Sequence, residues 1–324
     1  MLTQFLSRFA LFVAAAFACP IAGAADYPQR PVKFVVPFAA GGGSDLLARV
    51  FARKMQEEWG QPVVVENVTG SGGIVATQAV ARAEPDGHTL LMGAIGTHSV
   101  NVSLYKDLRY DPERDFEPVS LLATSPAILV VSPSFPARTV PELITYAKAH
   151  PGKVTYATAG IGTASHLVAE AFRQAAGIAL VHVPYRGSAP AHVDLMSGQV
   201  AMMFDYPPAA LPAIRADKFR GLGVTSRQRF KGASDIPTLI ESGLTGFEME
   251  AWWAVYVPRG TPAQIVNRIQ QTIAKAAAAP DVIQRADSLM LNLVASTPAE
   301  LGRFQKAETQ RWAKLIKEAN IKAE

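Results

Sequence analysis

Cysteine is almost absent. Cys19 is the only one in 324 residues. It lies inside an N-terminal stretch that reads as an address label. The rest of the chain therefore has no disulfide, no thiol nucleophile and no cysteine-ligated zinc to draw on. Charge is sparse as well, at 18% of residues. Lysine and arginine number 31 against 27 acids, a formal +4. The basic residues are scattered, so neither a nucleic-acid stripe nor a polybasic membrane tail is formed. After residue 25 no apolar run reaches the roughly 20 residues of a membrane span. Solenoid repeats and low-complexity tracts are missing too.

The chain does have ample hydrophobic residues, at 49%. That composition is globular, and the length predicts two domains, with no need of a metal or disulfide for stability. Residues 1–25 have the layout of a secretory signal: Arg8, then the short apolar run 9–17, then Ala22-Gly23-Ala24 as a small-residue cleavage site. Its removal takes away one base and no acid, leaving a formal +3. This predicts a periplasmic protein.

Strand-like runs alternate with amphipathic helical stretches. Residues 32–37, 62–66 and 89–94 read as strands, and 44–59 and 72–82 as helices. Such alternation predicts an α/β fold with a parallel sheet covered on both faces. The pattern restarts with strands at 127–131, 154–157, 180–184, 200–204 and 221–225. Helices at 140–150, 164–176, 190–197 and 207–215 separate them. Residues 247–258 read as extended, and 263–279 and 299–319 as long helices that pack back on the first lobe. Two lobes are expected, one from 26–124 with 249–324 and one from 125–248. Crossings near 121–125 and 246–251 would form a hinge.

The first strand runs into Pro37-Phe38-Ala39-Ala40-Gly41-Gly42-Gly43-Ser44-Asp45 and a helix follows at once. Glycines let backbone approach a ligand, and a helix start offers unpaired N–H groups and a positive dipole end. Such a place takes an anion without lysine or arginine. Ser44 or Asp45 is the expected N-cap. The second unit repeats the device in Thr158-Ala159-Gly160-Ile161-Gly162-Thr163-Ala164-Ser165-His166. Ligands of open α/β sheets sit beyond the C-terminal strand ends, so two such loops facing each other would clamp one anion.

Other candidates follow other strands. The glycines of Thr69-Gly70-Ser71-Gly72-Gly73 either shape the cleft floor or only fit the backbone past it. Thr97 is a candidate donor. Arg186 meets a ligand carboxylate or pairs with Asp194. Asp205 accepts from a ligand ammonium or amide, or caps the helix that opens at Pro207. Enzyme motifs are incomplete. Gly160-Ile161-Gly162 lacks the third glycine of a dinucleotide fingerprint, and the Gly41 loop lacks a P-loop lysine. Neither a G-x-S-x-G elbow nor H-E-x-x-H occurs. His88, His98, His166, His182 and His192 have no metal-ligand spacing. No cofactor or metal is expected. The rival reading is a secreted hydrolase or transferase acting on a small carboxylate, with His166 or Asp45 as base. Ser165 beside His166 is a poor dyad, since neighbours on a helix do not face each other.

Several motifs in order carry a resemblance: VVPFAAGGGSDLLAR, ENVTGSGG, PDGHTLL, HVPYRGSAPA and AWWAVYVPRGTP. The chain resembles the Bug-type solute receptors of tripartite tricarboxylate transport systems over nearly its whole length. It departs at Val68-Thr69, where the family usually has proline, and at Ser71, where alanine is common. The resemblance implies a Venus-flytrap periplasmic binding protein rather than an enzyme. It implies a ligand carboxylate held by both loops, often through ordered waters. The implied contacts are Phe38, Ala39, Gly41, Asp45, Thr97, Gly162, Thr163, Ser165, His166 and Asp205. The implied partners are a small mono- or dicarboxylate and the membrane components of a transporter, with the receptor itself a monomer and no nucleic acid involved.

Overall fold

The fold comes from a computed structural model that describes residues 27–38, 40–160, 163–185, 188–318 and 321. The expected signal peptide (1–25), Cys19, Ala39, Gly162 and Arg186 lie outside the described residues.

The chain opens with β1 (Val32–Val36), α1 (Gly43–Trp59), β2 (Val63–Asn67), α2 (Ile74–Ala81) and β3 (Thr89–Ala94). A wide turn at Gly96–Val100 leads into the single-turn α3 (Asn101–Leu104) and the long β4 (Phe116–Pro126). The second unit is β5 (Ile128–Val131), α4 (Val140–Ala149), β6 (Val154–Thr158), α5 (Ala164–Ala176), β7 (Leu180–Pro184), α6 (Ser188–Ser197), β8 (Met202–Asp205), α7 (Pro207–Arg215) and β9 (Arg220–Val224). The chain then returns through β10 (Glu250–Pro258), α8 (Ala263–Ala277), α9 (Pro280–Ser288), β11 (Asn292–Leu293) and α10 (Pro298–Glu318).

Two sheets result, ordered β11-β4-β10-β3-β1-β2 and β7-β6-β8-β5-β9. Each is mixed rather than all parallel. β1 lies parallel to β2 and β3, and β6 parallel to β7 and β8. The strands next to the crossings, β10, β4 and β5, run antiparallel to their neighbours. Side chains alternate faces along each strand. Val32, Phe34 and Val36 join Leu47, Phe51 and Met55 of α1 and Ile269 and Ile273 of α8 in one core. Val35 turns the other way, toward Ala76 and Val80 of α2 and Leu301 of α10. In the second sheet, Leu129 and Val131 face α5, while Ile128 and Val130 face α6 and α7.

The first passage between sheets comes after residues 121–125, which are part of β4. The chain leaves the first sheet at Pro126 and enters the second at Ile128. Here β4 and β10 lie side by side, from Phe116 opposite Pro258 to Pro126 opposite Glu250. Thr225, fully buried, ties the two passages together. It donates its N–H to Ala127 O (2.9 Å), and its hydroxyl accepts from Ala127 N (2.8 Å) and donates to Met249 O.

The last helix does more than pack on the first unit. Leu301, near its start, lies in the core of the first sheet, while Trp312, Leu315 and Ile316 enter the core of the second. Its 21 residues make it about 31 Å long, enough to span both. Among the described residues no helix is long and apolar enough to cross a membrane.

Candidate functional site

Both glycine-rich strand ends reach one cleft of about 780 Å³. Phe38 and Ser44 line it from the first unit, and Gly160, Thr163 and Ala164 from the second. Its back wall is β10, through Ala251, Trp252 and Trp253.

The helix starts are built to leave donors open. The N-cap of α1 is Gly42 rather than Ser44 or Asp45, and it has no side-chain cap. Ser44 is instead the second helical residue, and its hydroxyl accepts from Trp253 Nε1 at 2.8 Å. Asp45, at the third, accepts from the Gly41 amide (2.9 Å) and from Arg49 (3.0 Å). Burial pushes the Asp45 carboxyl up, but the bonds from Arg49, Gly41 and Asn67 outweigh it and hold it below the usual range. Gly41 has φ +82°, the left-handed region that glycine tolerates. Among the described residues, no side chain accepts from the first-turn N–H groups of α1. The same holds for α5. Its N-cap is Thr163, yet the Thr163 hydroxyl donates to Gly160 O (2.7 Å) and caps nothing.

Other named residues stand behind these starts. Thr97 is fully buried, and its hydroxyl accepts from Ala94 N and donates to Ala94 O (both 3.1 Å). Its neighbours Ile95 and Gly96 reach the cleft instead. Gly72 lines the cleft, whereas Gly73 (φ +90°) packs where a Cβ would stand 2.7 Å from Thr97 and 3.0 Å from Pro37. Ser165 accepts from Ala159 N at 3.1 Å, which fixes the loop to α5. His166 stacks on His182 with ring centres 4.2 Å apart, and His182 stacks on Tyr156 at 4.8 Å. His182 Nε2 also meets Thr158 Oγ1 at 2.7 Å, so the stack pins the strand end below the loop.

Asp205 is buried and paired with His192 Nε2 at 2.9 Å. That bond raises the His192 pKa. Asp205 does not cap α7, whose N-cap is Tyr206. Asp194 accepts from the Tyr185 hydroxyl at 2.6 Å. Trp252, Trp253, Tyr105, Tyr185 and Tyr206 line the cleft, although none is among the contacts that the resemblance implies. Their order along the sequence holds no spacing signal; the pairing of β10 with β3 and β4 brings the tryptophans in.

Buried histidines make the fold acid-labile. Burial lowers His98 to about 3, and burial with His182 nearby lowers His166 to about 4, from 6.5. Both are neutral in the fold, while the unfolded chain takes up protons as pH falls below 6.5. Stability is therefore full above 6.5 and falls toward 4. His192 has the opposite sign: its contribution is full below 6.5 and is lost as pH rises through its folded pKa. Three histidines, His98, His166 and His182, are depressed by burial against this one raised. Urea unfolding at pH 7.5, 6 and 5 is expected to show a falling midpoint, with His98 alone costing about 2 kcal/mol by pH 5. A flat midpoint would count against burial of neutral His98.

Known proteins share this architecture. Residues 47–321 match the family described as "Tripartite tricarboxylate transporter family receptor". Protein BugT of Bordetella pertussis is 35% identical over 322 residues, covering 99% of both chains. A Rhodopseudomonas palustris protein solved as "Rpa4515 with adipate" is 36% identical with TM-score 0.80, over 91% of this chain and 99% of that one. MatC of the same organism, solved with bound malate, is 35% identical with TM-score 0.76, over 90% and 100%. The two sheets and their shared cleft are the two-lobed fold of these binding proteins. The chain belongs to the tripartite tricarboxylate transporter receptor family, a family of periplasmic solute-binding proteins and not of enzymes.

Proposed function

We propose that the chain captures one small mono- or dicarboxylate between its lobes in the periplasm and presents it to the membrane components of a tripartite transporter. One observation carries this reading: two helix starts without side-chain caps, one from each sheet, border the same cleft. Their amides and dipoles favour an anion. Hydrogen bonds to a charge contribute about 1.5–3 kcal/mol each. The adipate and malate held by the two relatives support a carboxylate class.

The contacts are Phe38, Ala39 and Gly41 just before α1, Gly162 and Thr163 just before α5, and the first-turn amides that follow, at Gly43 and Ala164. Asp45, Thr97, Ser165 and His166 hold these segments in position, and Asp205, held by His192, is a ligand contact at the end of β8. The lobes are residues 26–124 with 249–324, and 125–248. They close by bending at the paired passages around Thr225. The receptor acts as a monomer, and residues 1–25 direct its export.

A thermal-shift screen tests the ligand class. Carboxylates are expected to raise the melting temperature, and mass spectrometry of solute released on unfolding is expected to identify one. Stabilisation by cations or sugars alone would refute the class.

A further inference from the structure

We infer that the preferred ligand is an aromatic monocarboxylate, a planar ring carrying one carboxylate. This rests on the proposed carboxylate clamp and narrows it. The two helix starts are committed to one carboxylate, so the rest of the ligand meets the remaining wall.

Among the described residues that wall is aromatic and uncharged. Phe38, Tyr105, Tyr185, Tyr206, Trp252 and Trp253 line the cleft, although aromatics are only 8% of the chain. Among the described residues, no lysine, arginine, histidine, aspartate or glutamate lines it. Among the described residues a second carboxylate would lose water there and find no counter-charge, an unfavourable exchange.

Three of the wall's polar groups are also bonded to protein partners. Trp252 Nε1 donates to Glu308 at 3.2 Å, and Trp253 Nε1 to Ser44 at 2.8 Å. The Tyr185 hydroxyl donates to Asp194 at 2.6 Å. These bonds hold the rings in fixed planes along the cleft. Asn101 and Tyr105 add polar groups, but both are neutral and cannot balance a charge. Rings held in fixed planes reward another ring, through stacked or edge-to-face contact beyond area alone.

Titration calorimetry on the purified protein tests this with benzoate, phenylacetate and 3-phenylpropionate against adipate, malate and cyclohexanecarboxylate. At least one aromatic probe is expected to bind about tenfold or more tighter than either dicarboxylate and severalfold tighter than the saturated ring. It is also expected to quench tryptophan fluorescence. Adipate or malate binding as tightly as the best aromatic probe would overturn the inference and leave the carboxylate receptor standing. Cyclohexanecarboxylate matching the best aromatic probe would overturn its aromatic part. Failure of all six to bind would overturn both readings. Trp253→Leu is expected to weaken the best aromatic probe about tenfold, and Trp253→Phe to restore most of it. Unchanged affinity in a folded Trp253→Leu would also overturn the ring contact.

Discussion

Ala164→Pro is expected to weaken carboxylate binding by about 10- to 100-fold without destabilising the ligand-free protein. Ala164 is the first residue of α5 and lines the cleft. Proline is well tolerated at that position, because the lost N–H has no partner within the helix and the fixed φ suits a helix start. The residue before it, Thr163, already has φ −69° and ψ 160°, which proline requires of its predecessor. The substitution thus deletes one amide donor and leaves the helix intact. Loss of a charge-assisted hydrogen bond of about 1.5–3 kcal/mol gives the stated range. Gly43→Pro makes the same change in α1, whose N-cap Gly42 has φ −77° and ψ 168°. Calorimetric titration measures affinity, and thermal melting of the ligand-free variants checks the fold. Wild-type affinity in both variants would mean that these amides do not hold the ligand.

The second large effect concerns stability. Glu308 of α10 is buried and accepts from Trp252 Nε1 (3.2 Å) and Trp312 Nε1 (3.0 Å). It also pairs with Arg311, whose own Nη1 donates to Glu248 O at 2.6 Å. Burial pushes the Glu308 carboxyl up, and Arg311 and the two indoles oppose it. Glu308→Ala leaves two buried indole N–H groups and a guanidinium without their acceptor. Removing one partner of a buried charged network costs about 3–5 kcal/mol. Urea unfolding should show a loss of that size. Trp252 lines the cleft, so ligand affinity is expected to fall as well. A loss below about 1 kcal/mol would mean that the network contributes little to joining α10 to β10.

Local signals carried much of the fold. The helix at 44–59 was legible because Leu47, Phe51 and Met55 recur on one face, and it forms as Gly43–Trp59. The strand at 89–94 was legible as an apolar run between turns and forms over those residues. Both glycine loops were legible as helix starts and both border the cleft. What failed depended on distant partners. Residues 116–126 are interrupted by Pro118, Ser120 and Ser125 and do not read as a strand, yet pairing with β10 makes them one. The helix Pro280–Ser288 was missed because Pro280 reads as a stop to the preceding helix, whereas it is the start of the next.

The site shows the same division. The helix starts are sequence features, but their caps are not. Ser44 is drawn to Trp253, a residue 209 positions away, and leaves Gly42 as the cap. Asp205 was legible as a strand-end carboxylate, but its partner His192 lies on a helix that only the fold brings near. Trp252 and Trp253 stand in the motif AWWAVYVPRGTP, but nothing local says that they form a cleft wall. The wall exists because β10 crosses back between β3 and β4.

A crystal structure of the protein with its carboxylate ligand is the most direct check. Carboxylate oxygens should lie within hydrogen-bond distance, directly or through one ordered water, of first-turn amides of both α1 and α5. A carboxylate seated elsewhere, or touching only one of the two helix starts, would overturn the clamp.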